Sequence, residues 1–146
     1  IQPFIEALND PDAHIRARAA EILGKLRSEA AIDALVAAMF DDKNRYKFDR
    51  GLFFQKNVQD VAVEALLDIG TKTVARVFAD LLNHEERAWR TRAVGLLRQL
   101  SMRQPELRSE IVHILQLQLQ NPELEMRTLA IEALRAIIIE DGISEN

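Results

Sequence analysis

Apolar residues recur along this chain at spacings of three and four, and the spacing itself repeats. Four segments align without gaps: 15–26, 58–69, 89–100 and 126–137. Each has an apolar first position (Ile15, Val58, Trp89, Met126), Ala at the fifth (Ala19, Ala62, Ala93, Ala130), Leu at the ninth (Leu23, Leu66, Leu97, Leu134) and Leu or Ile at the twelfth. These positions share one face of an α-helix, so each segment predicts one amphipathic helix, here called class A. The recurrent alanine marks where a neighbouring helix comes close. A second class, B, is predicted from Ile32, Leu35, Val36 and Met39, then from Val74, Val77, Phe78 and Leu81. A third B stripe lies within 105–120, on Ile111, Ile114 and Leu115. Residues 115–120 alternate apolar and polar as a strand would, but their place in the repeat assigns them to a helix. Ile1, Phe4, Ile5 and Leu8 carry the same stripe, so the chain is expected to open inside a B helix.

The A segments begin 43, 31 and 37 residues apart, and 31 is the bare unit. The excess in the first interval is an insertion at about 41–56, between a B stripe and the next A segment. One repeat domain over 1–146 is expected: a partial repeat at 1–8, repeats at about 10–40, 54–82 and 84–120, and a partial repeat at 121–146. Asp10-Pro11-Asp12 and Asn121-Pro122-Glu123 fall at the same place in the frame and predict an N-cap, a Pro at N1 and an acid at N2. Asp12 with Arg16, Glu86 with Arg90 and Glu123 with Arg127 are spaced i, i+4, which suggests that each arginine serves an acid on its own helix. In the second unit both members change together, to Gln55 and Gln59.

A two-helix unit of about 31 residues with the pattern D-P-x-x-x-[IV]-R-x-x-A-x-x-x-L-x-x-[LI] resembles the HEAT-like repeat of the phycobilisome-lyase type, over nearly the whole chain. The second unit departs from the pattern at its helix start. The resemblance implies an all-α fold, an α-solenoid (α/α superhelix) of stacked helical hairpins, with B helices lining a concave side. Stacking is also what the physics requires, because a lone hairpin cannot bury its apolar faces. An opening inside a helix, no initiator Met and a final A helix without its B partner suggest a piece of something larger.

Composition narrows the chemistry. Five Gly and four Pro among 146 residues starve an all-β fold of turns, and zero Cys excludes disulfides, thiolate metal sites and a Cys nucleophile. No membrane-length apolar run or export leader is visible, so a cytoplasmic location is expected. The net charge of −4 argues against a surface built wholly for phosphate backbones. No Gly-rich phosphate loop, nucleophile elbow or Ser/His/Asp signature appears, and no enzyme activity, cofactor or metal is expected. His84-Glu85 resembles the His-Glu dipeptide with which deoxyhypusine hydroxylase, a HEAT-like enzyme family, binds iron. Here it occurs once and lies before the helix rather than inside it, so a capping role is expected. Trp89, at an A first position, is expected in the core, and His14 and His113 at the surface.

The insertion is the unusual segment. It holds the sole Tyr, Tyr46, and three of six Phe, and from 41 to 56 carries five basic and three acidic residues in an otherwise acidic chain. Leu52, Phe53 and Phe54 are expected to fold back as an apolar plug. The function expected is a non-catalytic protein-binding scaffold, its partner another protein or other domains of its own chain. Its contact residues are expected to be Asp33 and Arg76 on the B helices and Arg45, Tyr46, Lys47 and Phe48 on the insertion. Two alternatives stand beside it: nucleic-acid binding through the basic aromatic loop, and a regulatory module fused to an enzyme or a membrane transporter.

Overall fold

The computed structural model describes residues 1–49 and 55–140. Among the described residues, eight α-helices account for the repeat: α1 (Gln2–Ala7), α2 (Ala13–Lys25), α3 (Ile32–Phe40), α4 (Val58–Ile69), α5 (Lys72–Leu81), α6 (Arg87–Arg103), α7 (Arg108–Leu117) and α8 (Leu124–Glu140). The even-numbered helices are the four A segments and the odd-numbered ones the B helices. Residues 115–120 are helical, as their place in the repeat required: α7 runs through Leu117 and a 3-10 turn, Gln118–Gln120, follows. The described residues are all-α except within the insertion, where β1 (Lys47–Asp49) pairs antiparallel with β2 (Gln55–Asn57), Phe48 opposite Lys56. The proposed plug at Leu52, Phe53 and Phe54 lies outside the described residues.

The chain forms two compact units, Ile1–Ile69 and Gly70–Asn146. In the first, α1 packs on α2, α3 on α4, and α2 lies along α4. In the second, α5 packs on α6, α7 on α8, and α6 lies along α8. Each B helix therefore pairs chiefly with the A helix that follows it. The cores are built from the repeated positions: the four fifth-position alanines and four ninth-position leucines are all buried, with Leu35, Met39, Phe78, Ile111 and Leu115 from the B helices. Each large apolar side chain removed from water in this way is worth about 1.5 to 3 kcal/mol. Trp89 is buried, as its position predicted, with the Arg92 guanidinium 5.3 Å from its ring centre.

Gly24 sets the approach of α2 to α4. A Cβ added there would stand 2.8 Å from Ala65 Cα, closer than carbon atoms tolerate, so the eighth position of α4 packs directly on the tenth of α2. The first-position residue of α2 departs from the pattern: Ile15 is 44% exposed while Val58, Trp89 and Met126 are buried.

Candidate functional site

The site begins with an arginine. Arg16, at the second position of its A segment, is 6% exposed, and its Nη1 donates to the carbonyls of Asp10 (2.7 Å) and Pro11 (3.0 Å). Arg90 does the same with His84 (2.9 Å) and Glu85 (2.8 Å), and Arg127 with Asn121 (2.8 Å) and Pro122 (3.0 Å). The expected pairing of these arginines with acids four residues earlier gives way to this arrangement. The guanidinium reaches back and braces the turn between a B helix and the A helix after it, using carbonyls that the turn leaves without helical partners. Gln59 occupies the same position in the second unit and donates from Nε2 to the carbonyl of Met39 (2.8 Å), at the end of the preceding B helix. The replacement keeps the task where the insertion has removed the short turn.

The residues before the braced turns also act alike, and not as the sequence frame placed them. Asp10 Oδ1 accepts from Asp12 N, His84 Nδ1 from Glu86 N, and Asn121 Oδ1 from Glu123 N, at 2.8, 3.0 and 2.9 Å. Each tightens the turn two residues ahead of the helix. The N-cap of α2 is Asp12, whose side chain accepts from His14 N, and α8 starts at Leu124. The caps thus sit two residues later than the Pro pattern suggested.

Arg16 differs from its counterparts in its third donor. Its Nε donates to Asn44 Oδ1 at 2.9 Å, whereas Arg90 Nε makes no hydrogen bond and lies 3.5 Å from Glu123 Oε1. Asn44 is buried in the insertion, and its Nδ2 donates to the carbonyl of Ala38 on α3 at 2.9 Å. One carboxamide thereby ties the insertion both to an A helix and to a B helix. The tie starts at Asp41, whose side chain accepts from Lys43 N and whose carbonyl accepts from Asn44 N. It ends at Asn57, which donates to the Arg45 carbonyl at 3.3 Å and caps α4 by accepting from Asp60 N at 2.7 Å.

Beyond this anchor the predicted contact residues emerge. Arg45 is exposed, with Asp42 3.7 Å away, and Tyr46 is 74% exposed. Lys47 and Phe48 enter as backbone of β1, and their side chains lie outside the described residues. Asp33 is exposed on α3 in the same unit, with Ala37 and the partly apolar surface of Phe40. Arg76 is exposed on α5 and His113 and Gln116 on α7, all in the second unit.

Among the described residues, no group of three or more His, Asp or Glu is placed to hold a metal, and no helix is long and apolar enough to cross a membrane. A groove of about 270 Å³ in the first unit runs between α2 and α4, lined by Glu21, Lys25, Asp60, Glu64 and Asp68 over Val61 and Ala65. Sequence reasoning missed this groove, and it also missed Asn44. The groove was legible in principle, since Asp60, Glu64 and Asp68 lie four residues apart on one helix face. Asn44 was not, because nothing in its neighbourhood marks it as buried.

Comparison with known proteins follows the same lines. Residues 1–47 match a family model described as HEAT repeats. No curated protein matches the chain. Among solved structures, the chain is similar to the complex of CpcE and CpcF of phycocyanin lyase from Nostoc sp. PCC7120, at 20% identity and a TM-score of 0.49, over 97% of this chain and 66% of that one. It is also similar to an engineered protein, at 17% identity and a TM-score of 0.45, over 93% of this chain and 61% of the other. The chain spans less than two thirds of the length of either.

Proposed function

We propose, from the premise that this chain is a HEAT-like repeat protein, that it is a non-catalytic scaffold whose anchored insertion contacts a protein partner. HEAT repeats are a fold used for protein interaction, and stacked repeats offer binding surface without catalytic groups. The observation that carries the reading is the Asn44 anchor. A basic aromatic segment hung from a loose loop would lose ordering entropy on binding, whereas one tied at its root to Arg16 and to the Ala38 carbonyl has met part of that cost in folding. Tyr46 then stands exposed beside Arg45, and Tyr and Arg are, with Trp, the residue types enriched where a few side chains dominate a protein contact. Asp33 on α3 and Arg76 on α5 are the further contact positions.

The test is affinity capture from lysate with the chain, a Tyr46→Ala variant and a Tyr46→Ala, Arg45→Glu variant, after nuclease treatment and across a salt series. A retained protein that survives nuclease and is lost in both variants supports the scaffold reading. Nucleic acid that is retained and released by moderate salt would replace it with the phosphate-binding alternative.

A further inference from the structure

Each turn into an A helix that the insertion has not displaced is tied by one side-chain acceptor. A carboxylate serves at Asp10, an imidazole at His84 and a carboxamide at Asn121, each taking the backbone N–H two residues ahead. A carboxylate or carboxamide oxygen keeps its lone pairs at neutral and mildly acid pH, whereas a ring nitrogen accepts only while it carries no proton. Of the three side-chain types, only the imidazole changes its charge between about pH 5 and 8. His84 is half-buried, its ring centre 6.3 Å from that of the buried Trp89. The Arg90 guanidinium braces the same turn through the His84 and Glu85 carbonyls, so ring and brace hold one short segment together.

We infer that His84 makes the turn into α6 open in mild acid, while the turns into α2 and α8 stay closed. A proton on Nδ1 converts the acceptor into a donor aimed at the Glu86 N–H, and two donors cannot share that contact. The ring must then swing away, which leaves the Glu86 N–H to water and the Arg90 brace alone on the turn. The charges around the ring in this unit act on that step in both directions. Arg87 and Arg90 at the start of α6, and Arg92 over the Trp89 ring, oppose a further positive charge. Glu85 and Glu86 in the turn, Asp80 on α5 and Glu123 before α8 favour it. Two acids are already engaged with these arginines, Glu123 at 3.5 Å from Arg90 Nε and Glu125 at 2.6 Å from Arg87 Nε. A carboxylate can take the new Nδ1–H only once the ring has left Glu86 N, so through that bond the acids stabilise the open turn.

NMR of the whole chain between about pH 7.5 and 5.5 tests this, with ring resonances following the protonation of His84 and amide resonances the turns. Solvent exchange of the Glu86 amide, corrected for its intrinsic pH dependence, is expected to rise roughly two- to tenfold as the His84 ring takes up its proton. The Asp12 and Glu123 amides, held by Asp10 and Asn121, are expected to keep their protection. His84→Asn supplies the residue that the repeat carries at Asn121, and is expected to protect the Glu86 amide equally at both ends of the range. Far-UV circular dichroism checks the fold, and His84→Asp, after Asp10, stands in if the Asn variant loses helical signal. A Glu86 amide whose exchange does not change while His84 takes up its proton overturns the inference. So does a pH-dependent rise that persists in the His84 variant, which would trace the opening to the neighbouring carboxylates instead.

Discussion

The Arg16 guanidinium is buried, and a buried charge is costly unless its donors are used. Here Nη1 meets two carbonyls and Nε meets Asn44, which accounts for the burial without any acid on the same helix. Hydrogen bonds from a charged donor contribute about 1.5 to 3 kcal/mol, so Arg16→Met is expected to destabilise the first unit by about 3 kcal/mol. Asn44→Ala is expected to cost about 1 to 3 kcal/mol. Urea unfolding of both variants and their double variant should show coupling of roughly 0.5 to 3 kcal/mol, since they share a bond. Additive losses would mean that the anchor is not one network. The frame was legible in the sequence at Ala19 and Leu23 because burial there needs only periodicity. The role of Arg16 was misread because spacing shows which side chains lie near one another on a helix, not that a guanidinium can bend back to a turn.

At the scale of the helices, two glycines separate close packing from open space. Gly24→Ala forces a Cβ into the Ala65 backbone and is expected to destabilise by about 1 to 3 kcal/mol. Gly95 sits inside α6 with nothing within 4 Å of an added Cβ, so Gly95→Ala is expected to stabilise by about 0.5 to 1 kcal/mol. Thermal melts of the two variants should shift in opposite directions. The α6–α8 contact in the second unit carries an ion pair at its edge, Arg87 Nε to Glu125 Oε1 at 2.6 Å. The hydrogen bond from Arg87 holds the Glu125 carboxyl below its ordinary value, and the same bond raises Arg87. A depressed carboxylate contributes stability above its unfolded-state pKa and loses it as pH falls through the lowered folded value. Both groups are solvent-exposed, so the contribution is small and screened by salt. NMR titration should find the Glu125 carboxyl below the ordinary glutamate value, and Arg87→Ala should raise it back toward that value. No change on removing Arg87 would sink that assignment. Ile15 shows the limit of periodicity at this scale. Its position is apolar in every repeat, yet Ile15 is exposed while Val58, Trp89 and Met126 are buried, a difference that the spacing does not carry.

Over the whole molecule, the repeat explains the fold and the break in the repeat points to the function. The helices of both classes were legible, since each follows from hydrophobic period and spacing. The β1–β2 pairing was not, because it depends on backbone geometry within a short, charged segment whose side-chain pattern carries no strand signal. The account rests on one claim, that the root of the insertion is fixed so that Tyr46 and Arg45 meet a protein. The most direct measurement places a photo-crosslinking benzoylphenylalanine at position 46 and irradiates it in nuclease-treated lysate, with the same probe at the exposed Glu132 of α8 for comparison. The account predicts a discrete protein adduct from position 46 that disappears when Arg45→Glu is added. An adduct pattern identical at both positions, or no adduct at 46, would contradict it.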